Sequence, residues 1–146
     1  MLRKLRRLAE LSPPEWLLLL ELIPLALALR LSLSFEPLTG LTASLSRLAE
    51  RQWLRRLPPL HRRRAIDRLW LLADLAARVT CGRGRCLGRS LLLLWLLKAR
   101  AQPAELLVGV NKDGAVFEAH AWIETEGRVL GDRPEMTAQF AVLLRA

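Results

Sequence analysis

Residues 80–100 of this 146-residue chain read TCGRGRCLGRSLLLLWLLKAR, and the predicted fold is built around them. From Leu91 to Leu97 every side chain is apolar, as is typical of a helix enclosed by protein on all sides. The connection before this helix contains two glycines, so we expect a flexible loop there. We therefore predict a central buried helix that begins near Cys86 and ends near Arg100.

The sequence before this segment predicts four more helices. Ser12 can cap a helix, Pro13 suits its first position, and Glu15 can close a capping box. Two adjacent prolines, Pro58 and Pro59, stop a later helix. The predicted helices cover residues 2–11, 13–31, 41–57 and 62–79, with a loop at 32–40.

After Pro103 the pattern changes to short segments typical of strands. Asp113 and Gly114 favour a hairpin turn, and a second tight turn follows at 126–127. We predict strands over residues 106–110, 115–124, 128–130 and 136–144. The expected fold class is α+β, with N-terminal helices packed on a small antiparallel β-meander.

The length favours one domain over residues 1–146, with a Leu- and Arg-rich helical part at 1–80 and the cysteine helix and meander at 81–146. Apolar residues make up 52% of the chain, which excludes disorder and allows a sizeable core. Two cysteines are too few for a secreted disulfide framework. We therefore expect a reducing compartment, the cytoplasm.

The net charge of +9 is unevenly distributed. Residues 1–100 carry 19 basic and 7 acidic groups, whereas residues 101–146 carry 4 basic and 7 acidic groups. The basic part either meets an acidic peptide, nucleic acid or membrane surface, or is a solvated arginine-rich surface. The apolar stretch Trp16–Leu29 is shorter than the roughly 20 residues of a membrane span. We expect it to be buried, or to rest on a partner or peripherally on the membrane surface.

Cys86 is the candidate nucleophile. It stands where a glycine-containing loop meets the start of a helix, and there the backbone N–H groups and the helix dipole favour the thiolate. Arg83 and Arg85 act in the same direction. A small buried core residue is one alternative. A zinc site from Cys81, Cys86 and His120 is another, although the cysteine spacing is wide and no second ligand pair follows.

His120 and Asp132 are the candidate base and orienting carboxylate. His120 lies mid-strand, whereas His61 opens an arginine-rich helix and is interpreted as a surface residue. Asp132 comes 12 residues after His120, across a tight turn, at the end of the neighbouring strand. A carboxylate there can fix the imidazole tautomer and support the imidazolium. The chain order Cys, His, Asp is that of papain-like enzymes.

The segment around Cys86 resembles the signature of the lasso-peptide leader peptidases, the transglutaminase-like B proteins of lasso-peptide biosynthesis. Three later segments resemble the first strand, the histidine strand and the aspartate strand of that family. The resemblance is close over residues 86–132, and it rests on CLGRS at 86–90, AELLVGV at 104–110, FEAHAWIE at 117–124 and GRVLGD at 127–132.

The resemblance implies a transglutaminase-like, papain-like core in which Cys86 is the nucleophile, His120 the general base and acid, and Asp132 the orienter. It implies the stand-alone peptidase half of the family, which works with a separate leader-recognition protein, the precursor peptide and an ATP-dependent lasso cyclase. No metal or organic cofactor is implied, and no nucleic acid is expected. Cys81 has no place in the family pattern.

The predicted function is a cysteine peptidase that removes the leader from a lasso-peptide precursor. Trp122 shares the face of His120 and is a candidate wall of the substrate cleft, with burial in the core as the alternative. Two rival functions stay open. One is a non-catalytic module that binds peptide or nucleic acid on the same fold, and the other is an acyltransferase that forms amides.

Overall fold

The computed structural model describes residues 11–50, 63–111 and 117–146. The fold class is α+β, as predicted. Residues 2–10 of the predicted helix at 2–11 and residues 51–57 of the predicted helix at 41–57 lie outside the described residues. The elements are helices α1 (Pro13–Ser32), α2 (Leu38–Ala49), α3 (Arg63–Thr80), α4 (Arg85–Lys98) and α5 (Pro134–Thr137), and strands β1 (Glu105–Asn111), β2 (Ala119–Thr125), β3 (Arg128–Leu130) and β4 (Phe140–Arg145).

Helix α4 is the central element of the fold, which confirms the prediction from its leucine run. Residues 88–97 are all buried. Helices α1, α2 and α3 pack against α4, and so do strands β1 and β2 of the sheet. A helix covered in this way needs apolar side chains around its whole circumference. One turn of 3₁₀ helix, Gly82–Gly84, leads directly into it.

Helix α1 begins at the predicted capping box. The backbone N–H and the hydroxyl of Ser12 both donate hydrogen bonds of 2.8 Å to Oε2 of Glu15. Glu15 also receives two hydrogen bonds from the guanidinium of Arg68, at 2.6 and 2.7 Å, and these join α1 to α3. The first turn of α1 is therefore fixed both locally and against its neighbour.

The apolar stretch of α1 is buried along one face and exposed along another. The buried face packs into the main core, whereas several apolar side chains point outward. No helix in the described parts of the chain is long and apolar enough to cross a membrane. The buried side chains are Leu18, Leu19, Leu22, Ala26 and Leu29, and the exposed ones include Trp16, Leu17, Leu20, Leu27 and Leu31.

The four strands form one antiparallel sheet in the order β3-β2-β1-β4. Strands β1, β2 and β3 make the predicted meander, and β4 returns to pair with β1 at the far edge. The predicted fourth strand at 136–144 begins too early, since residues 134–137 form the short helix α5. Pro134 fits the first helical position there, so the strand starts at Phe140.

The two faces of β2 have different partners, as the alternation of its side chains predicts. Ala121 and Ile123 belong to the main core beneath α4. Trp122 lies on the opposite face, in a smaller cluster with Leu107 and Phe140. Successive side chains of a strand point to opposite faces, so one strand serves both clusters.

A helix boundary also differs from its prediction. Helix α2 begins at Leu38 rather than at Leu41, with Pro37 as its N-terminal cap residue. Gly40 therefore lies within the first turn of α2 and not in a loop. Pro37 is extended, and the segment before it is a bend rather than helix. A residue before a proline is turned away from helical geometry, which keeps Glu36 out of the helix, and the extended Pro37 is then its cap residue.

Gly131 and Gly127 allow a matched test of a tight turn. Both are in the left-handed region, at φ of +76° and +74°. A Cβ on Gly131 would lie 1.9 Å from the ring of Trp70, whereas a Cβ on Gly127 would meet open space. We expect Gly131→Ala to lower the free energy of unfolding by about 3 kcal/mol, because it adds a steric clash to the backbone strain.

Gly127→Ala is the control, and it should cost about 1 kcal/mol because only the backbone strain applies. Urea denaturation followed by circular dichroism would measure the free energy of unfolding of both variants. Equal losses in the two variants would contradict the packing of Trp70 on Gly131.

Candidate active site

Cys86 lies in the first turn of α4, half-buried, beside strand β2. Interaction with the side chain of His120 is the main reason that the pKa of the Cys86 thiol falls below the ordinary value. Backbone contacts with Ala121 and Leu87 lower the pKa further, whereas burial opposes them. The position at a helix N-terminus favours the same anionic form. The thiolate is therefore stabilised where the sequence predicts a nucleophile.

His120 connects the thiol to a carboxylate. Its Nε2 lies 3.1 Å from Oδ2 of Asp132. The hydrogen bond to Asp132 is the largest cause that raises the pKa of His120 to about 9, and the contact with Cys86 adds to it, although burial acts against both. The imidazolium is thus stabilised by an anionic group on each side. A histidine placed in this way can hold the proton of the thiol, as the base of a cysteine–histidine pair does.

Asp132 lies in the turn after β3, two residues beyond Leu130, the last residue of that strand. The pairing of Leu130 with Ile123 of β2 brings the turn alongside the histidine strand. Gly131, with its positive φ, reverses the chain directly before Asp132. The structure therefore brings together all three residues predicted as the catalytic set: Cys86, His120 and Asp132.

Arg89 contacts the same carboxylate and was not predicted as a site residue. Its Nη2 lies 2.9 Å from Oδ2 and 3.1 Å from Oδ1 of Asp132. Its guanidinium carbon lies 5.1 Å from the ring centre of Trp70, and its Nη1 lies 3.8 Å from Oδ1 of Asp74. A charged residue two positions before the apolar run of the central helix was the available signal, since buried arginines are rare unless paired.

Two aromatic rings pack against the imidazole of His120. The ring of Trp122 stacks beside His120 at a centroid distance of 6.0 Å, and the ring of Phe140 lies at 5.3 Å. Trp122 is only 2% exposed, and its Nε1–H donates to Glu124 at 3.1 Å. Trp122 therefore packs as a core aromatic that supports His120, and a contact with substrate stays a prediction.

Gly109 of β1 pairs with His120 across the sheet. A Cβ at this position would lie 2.8 Å from the carbonyl oxygen of Ala141 and 3.0 Å from Cβ of Phe140. It would also lie 3.1 Å from the ring of Trp122. A glycine is therefore needed at this point for the aromatic rings to close beneath the imidazole.

Cys81 stands apart from the three-residue set. Its Sγ lies 3.3 Å from the hydroxyl of Thr80 and occupies the space left by the missing side chain of Gly88. In residues 11–50, 63–111 and 117–146, no three His, Cys, Asp or Glu side chains are grouped to hold a metal ion. The zinc alternative from Cys81, Cys86 and His120 is therefore wrong, because Cys81 packs against the helix.

Two further predictions concern positions near the site. His61 lies outside the described residues, as does the side chain of Arg83. The Nε of Arg85 lies 4.0 Å from Oδ1 of Asp74, so its guanidinium points toward that carboxylate.

A cysteine at the start of a buried helix, with a histidine on an adjacent strand and an aspartate in the next turn, defines the papain-like class of arrangement. The chain belongs to the transglutaminase-like superfamily, whose sequence profile matches residues 25–145. Searches of curated proteins and of solved structures returned no significant match.

The ionisation of Cys86 can be measured without any substrate. In a Cys81→Ala background Cys86 is the only cysteine of the chain. We expect its alkylation by iodoacetamide to titrate with a midpoint below the ordinary cysteine pKa, because His120 stabilises the thiolate.

His120→Ala is the control, and it should move the midpoint upward because the largest stabilising contact is lost. Rates of alkylation followed by mass spectrometry over a pH series give both midpoints. An unchanged midpoint in His120→Ala would contradict the thiol–imidazole contact.

Proposed function

We propose that this protein is a cysteine peptidase that removes the leader peptide from a lasso-peptide precursor. Membership of the transglutaminase-like superfamily supports a Cys-His-Asp enzyme, because members of that superfamily are generally enzymes of this kind. The observation that carries the proposal is the placement of His120, which lowers the pKa of the Cys86 thiol and lies 3.1 Å from the carboxylate of Asp132. The resemblance of residues 86–132 to the leader peptidases supplies the substrate class.

The first step is acylation of the enzyme. The Cys86 thiolate attacks the carbonyl carbon that joins leader to core, and the carbonyl oxygen becomes an oxyanion. The backbone N–H of Cys86, at the start of α4, is the candidate donor to that oxygen. The intermediate collapses as the C–N bond breaks, and His120 gives its proton to the departing amine. The core peptide leaves with a free N-terminal amine, and the leader remains as a thioester on Cys86.

The second step is hydrolysis of the thioester. His120, now neutral, accepts a proton from water while the water oxygen attacks the thioester carbonyl. The C–S bond breaks, so the leader leaves with a free carboxylate and the Cys86 thiolate is restored beside an imidazolium. Asp132 keeps the imidazole oriented through both steps. The free amine of the core is then the nucleophile that a macrolactam-forming cyclase needs.

The same proposal includes partners and a location. The chain would act in the cytoplasm with a separate leader-recognition protein that presents the precursor, and before an ATP-dependent lasso cyclase. The exposed apolar face of α1 offers a surface for the recognition protein or for the membrane surface. A nucleic-acid ligand is not part of this proposal.

The two rival functions differ in the fate of the acyl group. An amide-forming acyltransferase would use the same thioester, but an amine would intercept it in place of water. A non-catalytic binding module would form no thioester at all. Mass spectrometry of the released leader therefore distinguishes a carboxylate from an amide and from uncleaved precursor.

We expect Cys86→Ala to abolish leader removal while the protein remains folded, because the nucleophile is lost and a small side chain replaces another. Cys81→Ala should retain activity, since Cys81 packs against Gly88 and it is Cys86 that acts on the pKa of His120. The assay is incubation of each variant with precursor and recognition protein, read by mass spectrometry, with circular dichroism to check folding. Equal cleavage by Cys86→Ala and the unchanged protein would remove the peptidase proposal.

The pKa of His120 sets the alkaline limit of the reaction. The pKa of His120 is raised to about 9, so the imidazolium that protonates the leaving amine is present below that pH and is lost above it. We expect kcat/KM to rise as Cys86 ionises and to fall as the pH passes about 9.

Asp132→Asn should move the alkaline limit to lower pH, because its hydrogen bond is the largest cause of the raised pKa of His120. The measurement is kcat/KM for leader cleavage from pH 5 to 10. An alkaline limb that does not move would exclude His120 as the proton donor that Asp132 supports.

A further inference from the structure

We propose that Arg89 is a positioning residue for the active site: its guanidinium, held by Asp74 and Trp70, fixes the carboxylate of Asp132 against His120. This inference rests on the proposed function only for its effect on cleavage. Its effect on the thiol of Cys86 can be tested with no peptide present.

The placement of Arg89 follows from the helix that carries the nucleophile. Arg89 is three residues after Cys86 on α4, so the two side chains lie on neighbouring parts of the same face. Arg89 is 8% exposed and Asp74 is 3% exposed. A buried guanidinium keeps its charge, and it is retained only where anionic partners compensate for the loss of water.

Arg89 and His120 share one oxygen of Asp132. Nη2 of Arg89 lies 2.9 Å from Oδ2 of Asp132, and Nε2 of His120 lies 3.1 Å from the same atom. Nη2 is also 3.1 Å from Oδ1, so it touches both oxygens of the carboxylate. Rotation of the carboxylate about its Cβ–Cγ bond would break contacts to the guanidinium. Arg89 therefore resists the rotation that would also take Oδ2 away from the imidazole.

The guanidinium of Arg89 is itself held from the side of α3. Asp74 lies 3.8 Å from Nη1, and the ring of Trp70 lies under the guanidinium at 5.1 Å. Trp70 also fills the space beside Gly131, the residue before Asp132. One tryptophan thus contacts both the arginine and the turn that presents the carboxylate. The charged and titratable side chains of the site are Asp74 on α3, Arg85, Cys86 and Arg89 on α4, His120 on β2, and Asp132 after β3. Arg78 on α3 lies outside this set and pairs with Oδ2 of Asp74, whereas Arg85 and Arg89 face Oδ1.

Loss of Arg89 acts on the thiol of Cys86 through Asp132 and His120. The carboxylate of Asp132 is no longer fixed against the imidazole, so the imidazolium beside the thiol is less stable and the thiolate is less well supported. The pH at which Cys86 ionises therefore rises. A role limited to folding would lower stability and leave that pH unchanged.

The experiment measures alkylation of Cys86 by iodoacetamide against pH in a Cys81→Ala background. We expect Arg89→Met to move the midpoint upward by about one pH unit or more. The midpoint of Arg89→Lys should lie between those of the background and of Arg89→Met. Lysine keeps the charge but lacks the planar fork that spans Asp132 and Asp74. Cleavage of precursor by Arg89→Met should lose kcat by about ten- to a hundredfold with little change in KM, since misplacement affects the chemical step.

Arg78→Met is the matched control. Arg78 donates to Asp74 at 2.6 Å and has no contact with Asp132 in the described structure. The Arg78→Met substitution removes an arginine from the buried carboxylate of Asp74, which Arg89 also faces. We expect its alkylation midpoint to equal that of the Cys81→Ala background.

Folding is checked for each variant by circular dichroism and thermal melting. If Arg89→Met does not fold, Arg89→Lys decides, and its midpoint must lie above that of the background. A folded Arg89 variant with an unshifted midpoint overturns the inference, whatever its melting temperature. A shifted midpoint in the Arg89 variant, together with no cleavage of precursor by the protein that keeps Arg89, supports the role of Arg89 and rejects the leader-peptidase function, so the two proposals fail separately.

Discussion

The carboxylate of Asp132 is the point on which the arrangement depends. It accepts hydrogen bonds from the imidazole of His120 on β2 and from the guanidinium of Arg89 on α4. The sheet and the helix that carry the reactive groups are therefore joined through one side chain. Charge-assisted hydrogen bonds of this kind are stronger than neutral ones, and they are directional. The carboxylate of Asp132 thus contacts both the helix that carries Cys86 and the strand that carries His120.

Helix α4 makes this contact effective because it is immobilised along its length. Three helices and two strands cover its leucines, so its N-terminus cannot shift without disturbing the core. Cys86 is at that N-terminus, where its thiolate gains from the backbone N–H groups. The hydrophobic core and the reactive thiol are therefore properties of one element. The cost of burying Arg89 in this helix is offset by Asp132, Asp74 and the face of Trp70.

Much of this could be predicted from the sequence because the signals were local. The leucine run predicted the central helix, the Ser12–Glu15 box predicted the start of α1, and alternation along β2 separated His120 from Ala121. Chemistry and chain order then predicted Cys86, His120 and Asp132, which the structure brings together.

The predicted start of the fourth strand at residue 136 was too early, because Pro134 favours a helical turn that competes with strand propensity. Arg89 beside the leucine run signals a buried charge, but its pairing with Asp74 and Asp132 joins different elements, and no local pattern identifies those partners.

The alternation of β2 has a consequence for how errors in folding would appear. His120 and Ala121 are consecutive, and they belong to opposite faces of the sheet. A slip of β2 by one residue against β1 would exchange those faces, placing an imidazole under α4 and an alanine opposite Asp132. Such a molecule would lose core packing and reactivity together, so molecules with this mispairing could not persist as a stable but inactive population. The ionisation of Cys86, which depends on His120, therefore reports on correct strand pairing.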